Sequence, residues 1–188
     1  MTTGITAGML DGGLAEDLAA ASLAMARRFA RGATLWCVAP GWEPHAQHMA
    51  VEFVLPVIVG KRALPAFALT GSDLVARARV AVRPGDILIA VAGSGDEVVA
   101  DLMLRAPAWG AASAWIGAGP RPGAGAADHV LWIDDHDPMA PATGAFVLIY
   151  HLLWELTHVC FEHPGLLKAA PDTAADVRVT HADEAGGA

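Results

Sequence analysis

Cysteine is scarce in this chain of 188 residues: Cys37 and Cys160 are its only two. Their separation does not match the paired spacing of a zinc ribbon. Cys37 lies in a short apolar run typical of a buried strand, and Cys160 lies near the end of a helical pattern. We predict that both are reduced core residues.

Positive charge is also scarce. Twelve Lys and Arg residues against 20 Asp and Glu residues give a formal net charge of −8 and a pI near 5.3. This balance argues against a polyanionic partner such as nucleic acid. Charged residues make up only 17 % of the chain, which leaves more apolar surface than a monomer hides easily. We therefore expect an oligomer.

Long apolar runs are missing, although hydrophobic residues make up 54 % of the chain and the mean hydropathy is +0.41. The longest candidates, residues 53–59 and 144–154, are interrupted by Pro56 and His151, so we predict no membrane span. The amino terminus lacks the basic start, apolar middle and cleavage site of a secretory signal. We expect a cytoplasmic protein without a membrane partner.

The length suits a single domain with one substantial core. Residues 169–188 consist mainly of Ala, Asp, Thr and Gly, with little that could pack. We predict a domain over residues 1–168 followed by a flexible tail over residues 169–188.

Helical and strand patterns alternate along that domain. We predict helices at 11–31, from about 44, from 72 or 73 to 79, at 96–109 and at 142–162, and strands at 34–39, 65–70, 87–92, 113–116 and 129–133. Alternation at this spacing implies βαβ units and a parallel sheet covered on both sides, an α/β fold. Ligands bind such sheets at the carboxyl ends of strands, here residues 40–44 and 93–97.

One helical stretch, residues 41–60, carries a polar face. His45, His48 and Glu52 recur at spacings of three, four and seven residues, which places them on one side of a helix. Two imidazoles and a carboxylate can form half of a metal site or an acid/base pair. The spacing alone favours a solvated helix face over either role.

Two other groups are weaker candidates. Residues 134–137 (DDHD) could suggest a metal site, but a solvated turn after a strand is the better interpretation. His158 and His163 flank Cys160 and could form a Cys/His site, or could simply suit the negative end of a helix. Five tryptophans are interpreted as core or interface residues: Trp36, Trp109, Trp115, Trp132 and Trp154.

The order of four segments carries a family resemblance. They are AQHMAVEF at 46–53, LPAFAL at 64–69, PGDILIAV at 84–91 and HLLWEL at 151–156. This series resembles the sugar isomerase (SIS) domain, and within it the phosphoheptose isomerase family, over about residues 11–163. The resemblance implies a five-stranded parallel αβα sandwich that forms homodimers or homotetramers with active sites at subunit boundaries. It also implies conversion of a ketose phosphate into an aldose phosphate through an enediol.

The same resemblance assigns roles to individual residues. Glu52 and His151 match the family's catalytic pair, and His48, Glu52 and His151 match three of its four metal ligands. Zinc or another divalent metal is therefore an expected cofactor. Thr143 stands where the family has a glutamine ligand, and a hydroxyl binds zinc poorly, so a metal would need water, His45 or another group.

The phosphate site departs from the family pattern. Trp42 stands where a serine is expected, and an indole has no hydroxyl. In the second loop, residues 92–97 (AGSGDE), only Ser94 keeps its hydroxyl, followed by Gly95. Trp42, Ser94, Gly95 and Thr143 are the predicted positions for binding a carbohydrate ligand.

Acidic residues accompany those changes. Glu43, Asp96 and Glu97 place carboxylates near two helix N-termini that would otherwise receive an anion. Like charges about 6 Å apart in a partly dry cleft cost on the order of 1 to 3 kcal/mol each at an effective dielectric constant near 20. We predict that phosphate is held poorly at this site.

Three functions are consistent with these features. The first is an isomerase acting on a sugar phosphate or related carbohydrate derivative, and the second is a non-catalytic SIS module that binds another ligand or a metal ion. The third is an assembly or accessory protein, because the segment FEHPGLLK at 161–168 resembles divergent SIS proteins associated with nickel-iron hydrogenase maturation. Whether the protein is an enzyme stays open at this point.

Overall fold

The computed structural model of the protein describes residues 12–135, 137 and 144–168. Within these residues lie five α-helices: α1 (Gly12–Phe29), α2 (Glu43–Val54), α3 (Leu74–Ala81), α4 (Glu97–Arg105) and α5 (Gly144–Glu162). The same ranges contain five strands: β1 (Leu35–Val38), β2 (Ala66–Leu69), β3 (Ile87–Val91), β4 (Ala112–Ala118) and β5 (His129–Ile133). Two 3₁₀ turns, Ala106–Trp109 and Pro164–Leu167, follow α4 and α5.

The strands form one parallel sheet in the order β2-β1-β3-β4-β5. After β2 the chain crosses back over β1, so the sheet grows in opposite directions from the β1/β3 pair. In open parallel sheets, ligand crevices form where the strand order reverses, at the carboxyl ends of the strands. The carboxyl ends of β1 and β3 are therefore the expected ligand edge.

Two apolar cores lie on opposite faces of the sheet. Helices α1, α2 and α5 pack on one face, and α3 and α4 pack on the other. Successive strand side chains alternate between the two: Ile87 and Ile89 of β3 point into the first core, whereas Leu88 and Ala90 point into the second. Every residue of β3 is buried, as expected for a central parallel strand. The predicted three-layer αβα sandwich with five parallel strands is confirmed.

A buried carboxylate fixes the opposite, amino-terminal edge of the sheet. Asp86 is 6 % exposed and accepts hydrogen bonds from the backbone N–H of Thr34, the backbone N–H of Arg83 and the indole N–H of Trp36, each at 2.9 Å. These bonds tie the start of β1 to the turn before β3. In the sequence Asp86 is recognisable only as part of a turn, and the structure gives it a structural role.

Both cysteines are free and buried, as predicted. Burial raises the pKa of the Cys37 thiol far above its usual range. It also raises the pKa of Cys160, although the positive charge of Arg27 opposes this shift. Both thiols therefore stay protonated at neutral pH and behave as small apolar core groups.

Predicted and observed elements differ most at α4. The helix predicted over 96–109 ends at Arg105 and continues only as the 3₁₀ turn. Pro107 explains this end, because it has no N–H to donate to Met103 and its ring clashes with the preceding helical turn. The predicted tail, together with His136 and Thr143, lies outside the described residues, so those predictions stay predictions.

Helix α5 corrects one expectation. Residues Gly144–Glu162 are long and apolar enough to cross a membrane by length and composition, with a mean hydropathy of 1.4. The expectation that no segment reaches this length is therefore wrong. However, 44 % of the apolar stretch is buried inside the protein, where α5 packs on α1 and α2. A core helix of a folded domain can have the same length and hydropathy as a membrane span, since a helix covered on several sides has little need for polar residues.

Candidate functional site

The candidate site lies between α2 and α5 on one face of the sheet. Helix α2 begins directly after the turn that follows β1, with Trp42 at its N-cap position and Pro44 in its first turn. Its buried side consists of Ala46, Met49, Ala50 and Phe53. This apolar contact fixes the rotation of α2 and leaves His48 and Glu52 on a side that faces α5.

Three side chains meet between the two helices. Nε2 of His48 lies 3.1 Å from Oε1 of Glu52 and 3.3 Å from Nε2 of His151. Nε2 of His151 lies 3.5 Å from the same oxygen of Glu52. The side chains of His48, Glu52 and His151 are 41 %, 19 % and 43 % exposed. The group is therefore reachable from solvent while its carboxylate is mostly covered.

The spacing of these atoms suits a metal ion. The three potential ligand atoms all lie within 4.8 Å of one another. For zinc bonds of about 2.0 to 2.2 Å in tetrahedral geometry, neighbouring ligand atoms are roughly 3.3 to 3.6 Å apart. The observed separations of 3.1, 3.3 and 3.5 Å are close to that range. Two imidazoles and one carboxylate are also the donor set of several catalytic zinc sites, which keep a fourth position open.

Tyr150 adds a fourth polar group that the sequence-based prediction did not include. Its hydroxyl lies 2.9 Å from Nδ1 of His48. Burial, reinforced by the negative charge of Glu52, raises the pKa of Tyr150 to about 12. The phenol is therefore protonated at neutral pH. It is the only tyrosine of the chain and lies one position before His151 in an apolar helix, which is the one signal that could have pointed to it.

His45 does not join the group. Its ring makes edge contacts with Phe146 and Tyr150, with ring centroids 5.9 Å from each. Among the described residues, His48, Glu52 and His151 form the one group of three or more His, Cys, Asp or Glu side chains placed to hold a metal ion. The suggestion that His45 supplies a further ligand is therefore not supported by the geometry.

The described residues of the other two sequence candidates form no metal-binding group. The ring nitrogens of His158 lie 2.9 Å from the carbonyl oxygens of Trp154 and Arg62, so this buried histidine joins α5 to the chain after α2. No Cys/His site forms with Cys160 within the described part of α5. The backbone N–H of Asp137 donates to Oδ1 of Asp135 at 2.9 Å, as in a solvated turn.

The tryptophans are mainly core residues, as predicted. Trp115, Trp132 and Trp154 are buried. The indole N–H of Trp115 donates to the Ala92 carbonyl and that of Trp132 to the Gly119 carbonyl. Among the described residues, the indole nitrogen of Trp154 is the one buried side-chain polar atom without a partner.

Three of the four predicted ligand positions, Trp42, Ser94 and Gly95, lie at the carboxyl edge of the sheet. Trp42 follows β1 and packs, half-buried, against the first core. Ser94 and Gly95 follow β3, directly before α4. Oδ1 of Asp96 accepts a hydrogen bond from the Val99 N–H at 2.9 Å and so caps α4. A carboxylate therefore occupies the helix N-terminus that an anion would need.

A cavity of about 310 Å³ opens at the same edge, between the ends of β1 and β2. Its polar lining includes Glu43, Thr70, Ser72 and Asp73. Oε1 of Glu43 accepts a hydrogen bond from the Gly71 N–H at 2.8 Å, which joins the first turn of α2 to the loop after β2. Neither Trp42 nor Ser94 lines this cavity.

Asp73 occupies an unusual backbone conformation at the edge of this cavity. It holds the N-cap position of α3, but its side chain makes no capping hydrogen bond. Its φ of 58° places it in the left-handed region, where non-glycine residues are uncommon. The predicted start of the helix near this residue is correct.

Solved structures share this fold. A phosphoheptose isomerase from Francisella tularensis aligns with a TM-score of 0.67 at 20 % identity, over 79 % of this chain and 88 % of that one. A phosphoheptose isomerase from Neisseria gonorrhoeae aligns with a TM-score of 0.63 at 19 % identity, over 77 % and 86 %. The protein HobA from Helicobacter pylori has a TM-score of 0.54 at 10 % identity, over 82 % of each chain.

No family model matches the sequence, and no curated protein matches it significantly. The resemblance to the phosphoheptose isomerases is confirmed for the fold. At identities of 20 % and below, the chemistry of this chain has to be argued from its own residues.

Proposed function

We propose that this chain is a cytoplasmic, phosphoheptose isomerase-like SIS-domain protein, with its domain over residues 1–168. It binds a sugar phosphate or related carbohydrate derivative beside α2 and α5 and interconverts a ketose and an aldose. One observation carries this proposal: Oε1 of Glu52 lies 3.1 and 3.5 Å from the Nε2 atoms of His48 and His151. A carboxylate beside imidazoles suits the transfer of protons between neighbouring carbons and oxygens.

The proposed reaction is balanced within these residues. Glu52 removes the proton from the carbon next to the ketose carbonyl, and His151 donates a proton to the carbonyl oxygen, which gives an enediol. Glu52 then returns its proton to the former carbonyl carbon. The hydroxyl on the carbon that Glu52 first deprotonated gives its proton to His151 and becomes the aldehyde oxygen. An aldose forms, and both side chains regain their starting protonation states.

The same residues would hold a metal ion. His48, Glu52 and His151 fit zinc or another divalent cation by donor type and spacing. Such a cation would polarise the substrate oxygens and stabilise negative charge on them, in place of the proton that His151 donates in the metal-free form, because a His151 whose Nε2 binds the metal has no proton there to give. The second carboxylate oxygen of Glu52 would remain for the substrate proton.

A second candidate function is a non-catalytic SIS module that binds a metal ion or another ligand, or serves as an accessory protein in assembly, including hydrogenase maturation. It is favoured by the acidic groups at the carboxyl edge. Asp96 caps α4 with a carboxylate, and Glu43 and Asp73 line the cavity nearby. A ligand phosphate at this edge would meet like charges.

We also propose that the protein forms homodimers or homotetramers. An apolar surface begins beside Glu52 at the end of α2 and continues in the following loop. Its exposed residues are Val51, Val54, Leu55, Val57, Ile58 and Val59. Surfaces of this kind are commonly covered by a partner. Light scattering after size exclusion would test this: a Val57→Asp and Val59→Asp double variant should shift to monomer, and a monomeric wild type would contradict it.

Turnover of defined sugars tests the proposed function. Purified protein with zinc is incubated with sedoheptulose 7-phosphate and, separately, with unphosphorylated sedoheptulose. We expect isomerisation that falls by about a hundredfold or more in Glu52→Gln, since a general base contributes on the order of 10² to 10⁴ to the rate. Glu155→Gln, which changes a half-exposed carboxylate that pairs with Lys61 one turn beyond His151, serves as the control. Absence of turnover in a protein that binds zinc would favour the second candidate.

A further inference from the structure

Tyr150 contacts Nδ1 of His48. The other ring nitrogen, Nε2, faces Glu52 and His151, the other candidate metal ligands. Its side chain is 1 % exposed, and its ring lies edge-on to the rings of His48 and His151 at centroid distances of 5.3 and 5.4 Å. The hydroxyl is 2.9 Å from Nδ1 of His48. The buried phenol is therefore held against His48 by a short hydrogen bond.

Without a metal ion, these contacts favour one tautomer of His48. The carboxylate of Glu52 can only accept, so the ring proton resides on Nε2 and the phenol O–H donates to Nδ1. The Nε2 proton is donated to Oε1 of Glu52, 3.1 Å away. Both ring nitrogens are then satisfied, with Nδ1 as acceptor and Nε2 as donor.

Binding of a metal at Nε2 requires the other tautomer. A neutral imidazole that uses the Nε2 lone pair carries its proton on Nδ1. Through exchange with solvent, Nε2 loses one proton and Nδ1 gains one, and the ring remains neutral. The Tyr150 hydroxyl can serve both states, because its oxygen accepts as well as its O–H donates. A carboxylate or a carbonyl in its place could only accept.

We propose that Tyr150 is a positioning residue that lets His48 change from a hydrogen-bond donor toward Glu52 into a metal ligand without rotation of its ring. The inference rests on the proposed metal role of His48. Outer partners of ligating histidines fix ring orientation, and their loss lowers metal affinity by about 10- to 100-fold. The residue at position 150 thus fixes the orientation of one ligand and is compatible with both of its tautomers.

Zinc affinity of matched hydroxyl deletions tests this inference. Tyr150→Phe removes the hydroxyl and keeps the buried ring. Thr157→Val is the control, because it removes another buried hydroxyl of α5, one that bonds only to the Leu153 carbonyl at 2.7 Å. Competition with a chromophoric chelator should show zinc binding weakened by about 10- to 100-fold in Tyr150→Phe and unchanged in Thr157→Val, with all melting temperatures measured in parallel. Equal affinity in the two variants would overturn the inference.

Nitrogen-15 NMR of the histidine rings gives a second measurement. It uses only the wild type, so it does not require that any variant folds. In the zinc-loaded wild type, the Nδ1 proton of His48 should exchange slowly and show an Overhauser contact to the Tyr150 ring. In the metal-free wild type, the ring proton should be found on Nε2. A loaded protein with its His48 ring proton open to solvent would overturn the inference while leaving the metal proposal intact. A wild type that binds no zinc would overturn both.

Discussion

The Nε2 atoms of His48 and His151 lie 3.3 Å apart although the residues are 103 positions apart in the chain. The topology of the sheet explains this contact. Helix α2 follows β1 and α5 follows β5, and both pack on the same face of the sheet. Two imidazoles this close, with Glu52 beside them, are difficult to explain as a solvated helix face, which was the interpretation that the spacing alone favoured.

The first prediction concerns metal binding. His48→Ala removes one of three ligands, so zinc bound by the wild type should be lost or weakened by at least about a hundredfold, because two remaining ligands hold zinc poorly. Isothermal titration and elemental analysis would measure this. His163→Ala, which removes an exposed histidine just beyond α5, should leave zinc binding unchanged. Equal metal content in His48→Ala and the wild type would exclude this site.

The residues of the candidate site differ in how far the sequence alone could place them together. The pairing of His48 with Glu52 follows from helical spacing, since residues four apart share one face. His151 could be placed beside them only through the family resemblance. Tyr150 could not be placed at all: neighbouring helical residues point about 100° apart, so its contact depends on how α5 is rotated against α2.

At the carboxyl edge of the sheet, the sequence predicted the elements but not the backbone conformation of Asp73. The α/β architecture follows from alternating apolar patterns, which report burial directly. The conformation of Asp73 does not, because a side chain of that type is common at helix N-caps and its left-handed φ is set by the loop that precedes it. Trp42 packs against the core and does not line the cavity between β1 and β2, so its predicted role in binding a carbohydrate stays a prediction.

The second prediction concerns the close approach of β4 to its neighbours. A Cβ at Gly117 would come within 2.3 Å of the Ala92 carbonyl oxygen and 2.4 Å of the Trp132 ring. Gly117→Ala should therefore lower the free energy of unfolding by about 1 to 3 kcal/mol or more. Gly123→Ala is the matched control, because nothing lies within 4 Å of the added carbon. Urea unfolding would compare them, and equal stability of the two variants would contradict the packing described.

The third prediction concerns the carboxylate at the amino-terminal edge. Asp86→Ala leaves the Thr34 N–H, the Arg83 N–H and the Trp36 indole without their acceptor. The free energy of unfolding should fall by at least about 3 kcal/mol, since three donors lose their acceptor and each buried unsatisfied donor costs on the order of 1 to 3 kcal/mol. Asp101→Ala breaks only an exposed pair with Arg105 and should cost less than about 1 kcal/mol. A change in Asp86→Ala as small as that of the control would refute this role.

The fourth prediction concerns pH. Burial lowers the pKa of His129, against the opposing charges of Asp128 and Asp17, while Arg28 lowers it further. The unfolded chain therefore binds a proton at this residue at a higher pH than the folded chain. As the pH falls below the ordinary value of 6.5, the contribution of His129 to stability should decrease, and above that value it should be constant. Chemical unfolding at pH 7.5 and 5.5 should show a smaller loss in His129→Gln than in the wild type. An equal loss would argue against this burial effect.

The last prediction concerns the charge at the N-terminus of α4. Asp96→Ser keeps a side-chain acceptor for the Val99 N–H, because serine is also a good N-cap residue, and removes a negative charge from the ligand edge. At about 6 Å and an effective dielectric constant near 20, such a charge costs a phosphate on the order of 1 to 3 kcal/mol. Calorimetric titration with sedoheptulose 7-phosphate should therefore show tighter binding in Asp96→Ser, by about tenfold at low salt.

The control for this variant is Asp101→Ser, which removes the same charge more than one helical turn further along α4 and so leaves the N-terminus unchanged. Because Asp101 lies farther from the helix N-terminus and is paired with Arg105 at 2.7 Å, Asp101→Ser should bind the sugar phosphate nearly like the wild type. Added salt should reduce the advantage of Asp96→Ser. Binding that is equal in all three proteins would mean that the phosphate group does not approach α4, and the carboxylates at this edge would then have no bearing on ligand choice.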